Sequence, residues 1–389
     1  MVYTNCNDVI DKVLTSVIRN FGQECNGDND RSLLNSIVNT SNFCNFVYDM
    51  VHLSYPMCTC TTDDVSQRVS IILAYRATLS HLLSTPQVEQ RSSEWYEMRR
   101  GRLTASAIAE ALGQGKYRSR NTLLKNKAFP ELDKPFDSYS SPPLRHGIIL
   151  EDMSARCYQQ RRGNINIHNF GMIPHPEMSC FGASPDGIND LGIMIEIKTP
   201  YKRKVGGEVP HEYMLQMQGQ MAVCGLKECD FVDAEIKMNV NIDEYINTID
   251  ENLRVDHGMI VEYCDVVGDR LFDYSPPYLT PKECMAWANE KKKQRINEFG
   301  QNNVRLLMAW RLEKIHIERV LFDSNLWESL IPKIEQFWTD VLNVRTKGIS
   351  SIEGSSKRLR KETTLNIVLD DGNLSPPKGT YVFVDSDSD

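Results

Sequence analysis

Apolar residues recur at helical spacing through the first ninety residues. A stripe at intervals of three and four residues starts near residue 9, and two further helices are predicted at residues 43–53 and about 64–83, the last after Thr61 and Thr62 as candidate caps. The stripe consists of Val9, Ile10, Val13, Leu14, Val17, Ile18 and Phe21. Because each such stripe needs a partner to bury it, we predict a helical N-terminal domain over residues 1–90.

The pattern changes after a polar stretch at residues 87–93. Paired prolines predict loops at 142–143 and 276–277, and Thr280 with Glu283 predicts a capping box at the start of a charged helix. The side chains of residues 193–198 alternate between the two faces of a predicted strand. The isoleucines at 193, 195 and 197 share one face, and Met194, Glu196 and Lys198 share the other. The pattern predicts a mixed α/β domain over residues 91–347.

The last 42 residues, 348–389, combine Gly, Ser, Pro and charge with few aromatics, which predicts a disordered tail. No apolar run approaches the length of a membrane span, and the N-terminus lacks the pattern of a signal peptide. Eleven cysteines without regular spacing indicate reduced thiols, and Cys58 and Cys60 alone do not make a zinc site. We therefore predict an intracellular protein without a membrane partner.

A turn and a strand place two carboxylates together. Pro185-Asp186-Gly187 is a turn signal, and the turn residues 189–192 can close a hairpin that brings Asp186 across from Glu196. Two close carboxylates repel unless a cation lies between them, and Mg²⁺ prefers such oxygen ligands. Lys198, on the face of Glu196, can orient or deprotonate a water. Taken singly, the turn is an ordinary surface turn and Glu196–Lys198 an exposed pair.

Positive charge is concentrated just before these motifs. The net charge is −8, yet residues 99–127 contain eight Lys or Arg, among them Lys116, and only one acid, Glu110. A basic stretch can be a solvated face, but its position favours phosphate binding. Thr104 is a candidate N-cap for a helix at 105–112, whose start would bind an anion, with Arg99 and Arg102 adding contacts.

Five segments in order carry a resemblance to a known family. Asp186, Glu196 and Lys198 match the PD-(D/E)XK motif. The other segments are WYEMRRGRLTAS at 95–106, HGIILE at 146–151, YMLQMQ at 213–218 and IHIER at 315–319, the last followed by residues 326–342. Together they resemble the lambda exonuclease/YqaJ-type viral recombinases over residues 92–240, with a weaker match at 315–345.

The resemblance implies a restriction-endonuclease-like core and specific site residues. Arg99 and Ser106 match positions that bind substrate phosphate, and Glu151 becomes the third acid. One or two Mg²⁺ ions, with Mn²⁺ as a substitute, would lie on Asp186, Glu196, the Ile197 carbonyl and Glu151, while Lys198 and Gln216 position the water. Tyr213 shares a helix face with Gln216 and Gln220, which we expect to face the site. His146 and His211 are expected to be bystanders.

The function implied by the resemblance is hydrolysis of linear double-stranded DNA from 5′ ends, in viral recombination, replication or repair. Partners would be double-stranded DNA and a single-strand annealing protein, in the host cytoplasm or nucleus. Three alternatives stay open: an endonuclease on the same core, a catalytically weak DNA-binding scaffold, and an adaptor that acts through its tail. Oligomeric state and cleavage polarity are not determined by the sequence.

The tail has its own candidate motifs. Aliphatic runs precede acids at 366–371 and 381–387, which resembles a motif for a SUMO-like partner, with Ser386 and Ser388 as phosphorylation sites. The basic residues 357–361 could be a nuclear import signal. The alternative for both is a solvated low-complexity tail, and we expect cleavage not to need it.

Overall fold

The computed structural model describes residues 6–24, 41–132, 139–238, 241–248 and 256–351. The tail motifs at 357–361, 366–371 and 381–387 lie outside the described residues. The helices are α1 Cys6–Glu24, α2 Ser41–Ser54, α3 Thr62–Ser84, α4 Ser93–Arg100, α5 Ile108–Ala111, α6 Arg120–Ala128, α7 Pro142–Arg161, α8 His211–Cys224, α9 Ile242–Thr248, α10 Pro281–Phe299 and α11 Ser324–Lys347. The strands are β1 Leu103–Thr104, β2 Ile167–His168, β3 Ile173–Pro174, β4 Phe181–Ala183, β5 Gly187–Asn189, β6 Met194–Lys198, β7 Glu228–Met238, β8 His257–Cys264, β9 Arg270–Tyr274 and β10 Val304–Leu321.

Seven strands form the central sheet, in the order β2-β5-β6-β7-β10-β8-β9, and β1-β4-β3 form a smaller sheet. In the large sheet β6 and β7 are parallel, joined through helix α8, and the other neighbours are antiparallel. Helices flank the sheet, so the predicted mixed α/β fold with a central sheet flanked by helices is confirmed. None of the helices in the described ranges is both long and apolar enough to span a membrane.

The predicted hairpin forms between β5 and β6. Asn189 closes its turn, because the Asn189 side-chain oxygen accepts hydrogen bonds from the N–H groups of Leu191 and Ile193 at 3.0 and 3.1 Å. Gly192 has φ of 77°, a conformation in which a side chain would be strained. In the ladder Gly187 pairs with Ile195, which sets Asp186 beside Glu196.

Helices α1, α2 and α3 pack on one face of the central sheet. The isoleucines Ile193, Ile195 and Ile197 are buried in one apolar cluster with residues of all three helices, such as Val9 and Val69. Thr61 caps α3 in a capping box with Asp64, and Thr280 caps α10 with Glu283. Because these helices share an apolar core with β6, their packing does not mark a domain boundary. The division into two domains at residue 91 therefore stays a prediction.

A buried network of six charges joins these helices to the sheet. Arg68 of α3 binds Asp11 of α1 and Glu228 of β7, and Arg319 of β10 binds Glu228 and Asp230. Arg162 and the Tyr158 hydroxyl complete the network at Asp230, at 3.2 and 2.7 Å. Three guanidinium groups therefore face three carboxylates, so the network is balanced in charge.

Two local predictions are wrong. Residues 142–143 begin α7 instead of a loop, because proline is accepted in the first turn of a helix, where N–H groups lack intrahelical partners. The helix predicted at 105–112 is a 3₁₀ turn, Ala105–Ala107, followed by the short α5, and Thr104 makes no side-chain cap. Its hydroxyl lies 3.2 Å from the Ser106 hydroxyl, because the tighter turn brings these two side chains together.

Candidate active site

Asp186 lies against β6 at the start of the hairpin. Its carboxylate accepts a hydrogen bond from the Ile197 N–H at 2.7 Å. Burial, followed by the charge of Glu196, raises the pKa of Asp186 well above its ordinary value, although Lys198 acts in the opposite direction. A carboxylate in this setting binds a proton or a cation more readily than one in water.

Glu196 is fully buried, with 0% exposure, and is held by three donors. Gln216 and Gln220 of α8 donate to its two oxygens at 2.6 and 2.8 Å, and the Lys198 ammonium donates as well. The side chains of Gln216 and Gln220, which the sequence predicts to face the site, therefore contact Glu196. The side-chain amides orient the carboxylate without adding charge, and the Lys198 ammonium is the cation bonded to it.

Lys198 lies between carboxylates and an aromatic ring. Burial lowers the pKa of Lys198, but the charges of Glu196 and Asp186 raise it by more than burial lowers it. The pKa of Lys198 therefore lies above its ordinary value. Its ammonium is 4.9 Å from the ring centre of Tyr213, which stacks on Phe231. Lys198 is therefore a cation at neutral pH, suited to stabilising negative charge rather than to accepting a proton.

Glu151 lies on α7 and is partly exposed. Its nearest cation is Arg91, whose Nη2 lies 3.6 Å from Glu151 Oε2. Burial raises the pKa of Glu151, while Arg91 and Lys198 lower it and Glu196 raises it further. The charges of Glu196 and Lys198 thus affect the pKa of Glu151, although neither residue is bonded to Glu151 directly.

The oxygen donors at this site suit a hard cation. Asp186 and Glu196 are close enough for the second to raise the pKa of the first, which is the arrangement that a cation relieves. Across the described residues, no group of three or more His, Cys, Asp or Glu side chains is placed to hold a metal ion, so the candidate donors are the Asp186 and Glu196 carboxylates alone. Two carboxylates are a donor set that Mg²⁺ accepts, because Mg²⁺ keeps several of its waters.

Arg99, a predicted phosphate ligand, lies in α4 without a carboxylate partner in the described ranges. Its guanidinium stacks on Trp95 at 4.3 Å, and burial lowers the pKa of Arg99. A desolvated cation without an acid beside it favours an anionic ligand. Several other cations of the basic stretch are already paired with acids: Arg100 with Glu97, Arg118 with Glu110, and Arg120 with Asp340.

The predicted phosphate ligands divide into two groups. Thr104 pairs with Gly182 in the small sheet, and the Trp95 indole donates to the Ser184 hydroxyl at 3.1 Å, which places Arg99, Thr104 and Ser106 next to the strand leading to Asp186. Arg102 instead donates to the carbonyl of Met98 at 3.3 Å. Lys116 is exposed and lies over the ring of Tyr117.

The two histidines have contacts of their own. His146 is buried against Tyr201, with ring centres 5.5 Å apart, and burial lowers the pKa of His146. His211 contacts the side-chain oxygen of Gln114 at 3.2 Å. The sequence does not mark Arg91, because a single polar residue in a polar stretch carries no pattern that indicates a contact.

Comparison with known families gives the same assignment as the motifs. Residues 94–227 match the sequence model of the YqaJ-like viral recombinase domain. Over these residues the chain is similar to YqaJ-like viral recombinase domains. The matched region contains the basic stretch, α7, the hairpin and α8, so Asp186, Glu196, Lys198 and both glutamines lie inside it.

Relatives of the chain are distant. Uncharacterized protein R354 of Acanthamoeba polyphaga mimivirus is 25% identical over 302 residues, which cover 67% of this chain and 54% of that protein. The chain therefore spans about half the length of this curated relative. Among solved structures, the alkaline exonuclease LHK-Exo of Laribacter hongkongensis has a TM-score of 0.40 at 19% identity, covering 70% of this chain and all of that one. A phage-related exonuclease from Haemophilus somnus 129PT has a TM-score of 0.35 at 12% identity, covering 64% and 96%.

Proposed function

We propose that this chain is a metal-dependent deoxyribonuclease that degrades linear double-stranded DNA from 5′ ends. The observation that carries the proposal is the arrangement at the hairpin, where Asp186 lies across from the buried Glu196 of β6, which is bonded to Lys198, inside the region similar to YqaJ-like domains. Two acids and a cation held side by side match the needs of phosphodiester hydrolysis, in which negative charge develops on phosphate oxygens.

Asp186, Glu196 and the Ile197 carbonyl would hold Mg²⁺ or Mn²⁺, with Glu151 taking part directly or through water. When bound, the cation would lower the pKa of the attacking water and offset negative charge on the phosphate. Gln216 and Gln220 keep Glu196 oriented through their amides. Lys198 orients the attacking water and places positive charge beside the phosphate.

Arg99 would select the end of the duplex. Its guanidinium, stacked on Trp95, would bind a terminal 5′-phosphate, with the Thr104 and Ser106 hydroxyls as further donors. Arg102 and Lys116 would contact other backbone phosphates, and Tyr213 would line the path of the strand at Lys198. The single strand left behind is a substrate for a strand-annealing protein, so we place the activity in viral recombination, replication or repair.

An end-labelled duplex tests the proposal. The duplex is digested with Mg²⁺, with 5′ and 3′ labels in parallel. The 5′ label should be released first, as a mononucleotide, and chelation of the metal should stop the digestion. A closed circular duplex should resist. Cleavage of the circle would establish an endonuclease instead, and no cleavage of any substrate with Mg²⁺ or Mn²⁺ would contradict nuclease function.

The role of Arg99 has a separate test. Arg99→Ala should reduce the preference for 5′-phosphorylated over 5′-hydroxyl ends, measured as the ratio of initial rates on the two duplexes. Arg100→Ala is the matched control, since Arg100 is paired with Glu97 at the surface. An Arg99→Ala ratio equal to that of the wild type would contradict the phosphate role.

A further inference from the structure

Residues 87–91 are held next to the catalytic hairpin by contacts with residues 170, 171 and 185, and they do not form a free linker. The Gln90 amide donates to the carbonyls of Phe170 and Pro185 at 2.7 and 3.3 Å, and Pro185 directly precedes Asp186. A Cβ at Gly171 would lie 1.7 Å from the carbonyl oxygen of Val88, so only glycine allows the two backbones to approach this closely. The segment is therefore positioned by contacts at the active site.

Arg91 in this segment has an unusual backbone conformation. Its φ is 68°, in the left-handed region that costs an L-residue other than glycine conformational energy. Such residues persist where the surroundings determine them, and they are frequent at functional sites. Here the surroundings are the two hydrogen bonds of the neighbouring Gln90 and the close backbone contact between Val88 and Gly171.

The guanidinium of Arg91 is the cation available to Glu151. Lys198, the other cation that acts on Glu151, is bonded to Glu196, whereas Arg91 Nη2 lies 3.6 Å from Glu151 Oε2. Both side chains keep contact with solvent, with 53% of Arg91 and 37% of Glu151 exposed. A pair this open and this long is weak, so a stronger cation can replace the guanidinium.

We propose that Arg91 is a positioning residue that serves as the built-in counter-cation of Glu151 and thereby sets how tightly the active site binds a divalent cation. The inference rests on the proposed function, because it takes Glu151 to belong to the cation site. The guanidinium holds the carboxylate toward the hairpin while no other cation is bound. It also competes with an incoming cation for the same carboxylate.

Glycine at position 91 separates this role from a structural one. Arg91→Gly removes the charge and also removes the left-handed strain, so the melting temperature should not fall. The affinity for Mn²⁺ should nevertheless rise about tenfold, the effect of one unit charge on a divalent cation roughly 6 Å away at the dielectric constant of water. Arg91→Lys keeps the charge and should bind Mn²⁺ like the wild type.

The experiment is calorimetric titration of the full chain with Mn²⁺, together with thermal unfolding without metal. Tyr278→Gly is the matched control, because Tyr278 also has positive φ, at 66°, and is partly exposed away from the hairpin. In a Glu151→Gln background, Arg91→Gly should no longer change the Mn²⁺ affinity, since the carboxylate that couples the two is gone.

Three results would overturn the inference. Equal Mn²⁺ affinity in the wild type and Arg91→Gly would exclude the counter-cation role and leave the proposed function untouched. An equal gain in Mn²⁺ affinity in Arg91→Lys or Tyr278→Gly would exclude that role in the same way. A wild-type chain that neither binds Mn²⁺ nor cleaves DNA would overturn the proposed function and this inference with it.

Discussion

Replacing Arg68 by methionine tests the buried charge network directly. Arg68 is 2% exposed, and its guanidinium makes four hydrogen bonds, two to Asp11 at 2.7 Å and two to Glu228 at 2.5 and 2.9 Å. Arg68→Met keeps an unbranched apolar stem but removes the guanidinium group, which leaves three carboxylates facing two guanidinium groups. Arg319 cannot compensate fully, because it already binds Glu228 and Asp230.

The expected loss is large. Removing one member of a buried ion pair leaves an uncompensated charge and costs about 3–5 kcal/mol. For 389 residues and an unfolding entropy of about 2.1 cal/mol/K per residue, 4 kcal/mol corresponds to a fall in melting temperature of about 5 °C. Arg68→Met/Asp11→Asn restores the charge balance and should recover part of this loss.

The pH dependence gives a second signature. Burial raises the pKa of Glu228, but the Arg68 and Arg319 guanidinium groups more than offset this and hold it below its ordinary value. A carboxylate with a depressed folded-state pKa stabilises the fold above its unfolded pKa, and that stability is lost as the pH falls through the folded value. Without Arg68 the folded pKa rises, so acid unfolding should begin at higher pH.

Urea and thermal unfolding at neutral pH, followed by circular dichroism, measure the effect. Arg100→Met is the matched control, since Arg100 pairs with Glu97 at the surface and should change stability by less than about 0.5 kcal/mol. A loss below about 1 kcal/mol in Arg68→Met, or equal losses in both variants, would refute the account of the network.

Three further predictions concern the active site. Lys198→Met should reduce cleavage by about 10²–10⁴-fold with an unchanged circular dichroism spectrum, because Glu196 keeps both amide donors; a near-wild-type rate would show that Lys198 is not catalytic. Burial and Glu196 raise the pKa of Asp186 in the metal-free site, so initial cleavage rates at subsaturating Mg²⁺ should increase with pH through a pKa above the ordinary value of about 3.9, and a flat profile would argue against Asp186 as the titrating group. Lys116→Ala should weaken duplex binding equally for all sequences and lower the slope of log affinity against log salt by about 1, whereas a slope equal to that of the wild type would exclude a phosphate contact.

The local part of the site could be predicted from the sequence because its signals are short-range. Alternation along residues 193–198 determines which side chains share a face, and the turn residues from Asn189 to Gly192 close the hairpin. The face formed by Gln216 and Gln220 follows from helical spacing alone. Which carboxylate the glutamines bind does not follow from spacing, since it depends on how α8 packs against β6.

Long-range contacts could not be predicted. Arg91 and Glu151 are 60 positions apart in the sequence, and no periodicity connects a polar segment to a particular acid on a helix. The network of Arg68, Asp11 and Glu228 is equally non-local. Thr104 suits a helix cap by residue type, but residue type does not distinguish an α-helix from a 3₁₀ turn at that position.

Strand β10 has a consequence for the order in which the chain acquires its structure. Its C-terminal half pairs with β7, up to Leu321 against Glu228, and its N-terminal half pairs with β8. β7 is also the parallel neighbour of β6, the strand that carries Glu196. Until β10 has been synthesised, the other edge of β7 has no strand to pair with. During synthesis at roughly 5–20 residues per second, the ribosome must add about ninety residues after Glu228 before that edge closes, an interval of about 5–20 s in which an unpaired strand is exposed to aggregation.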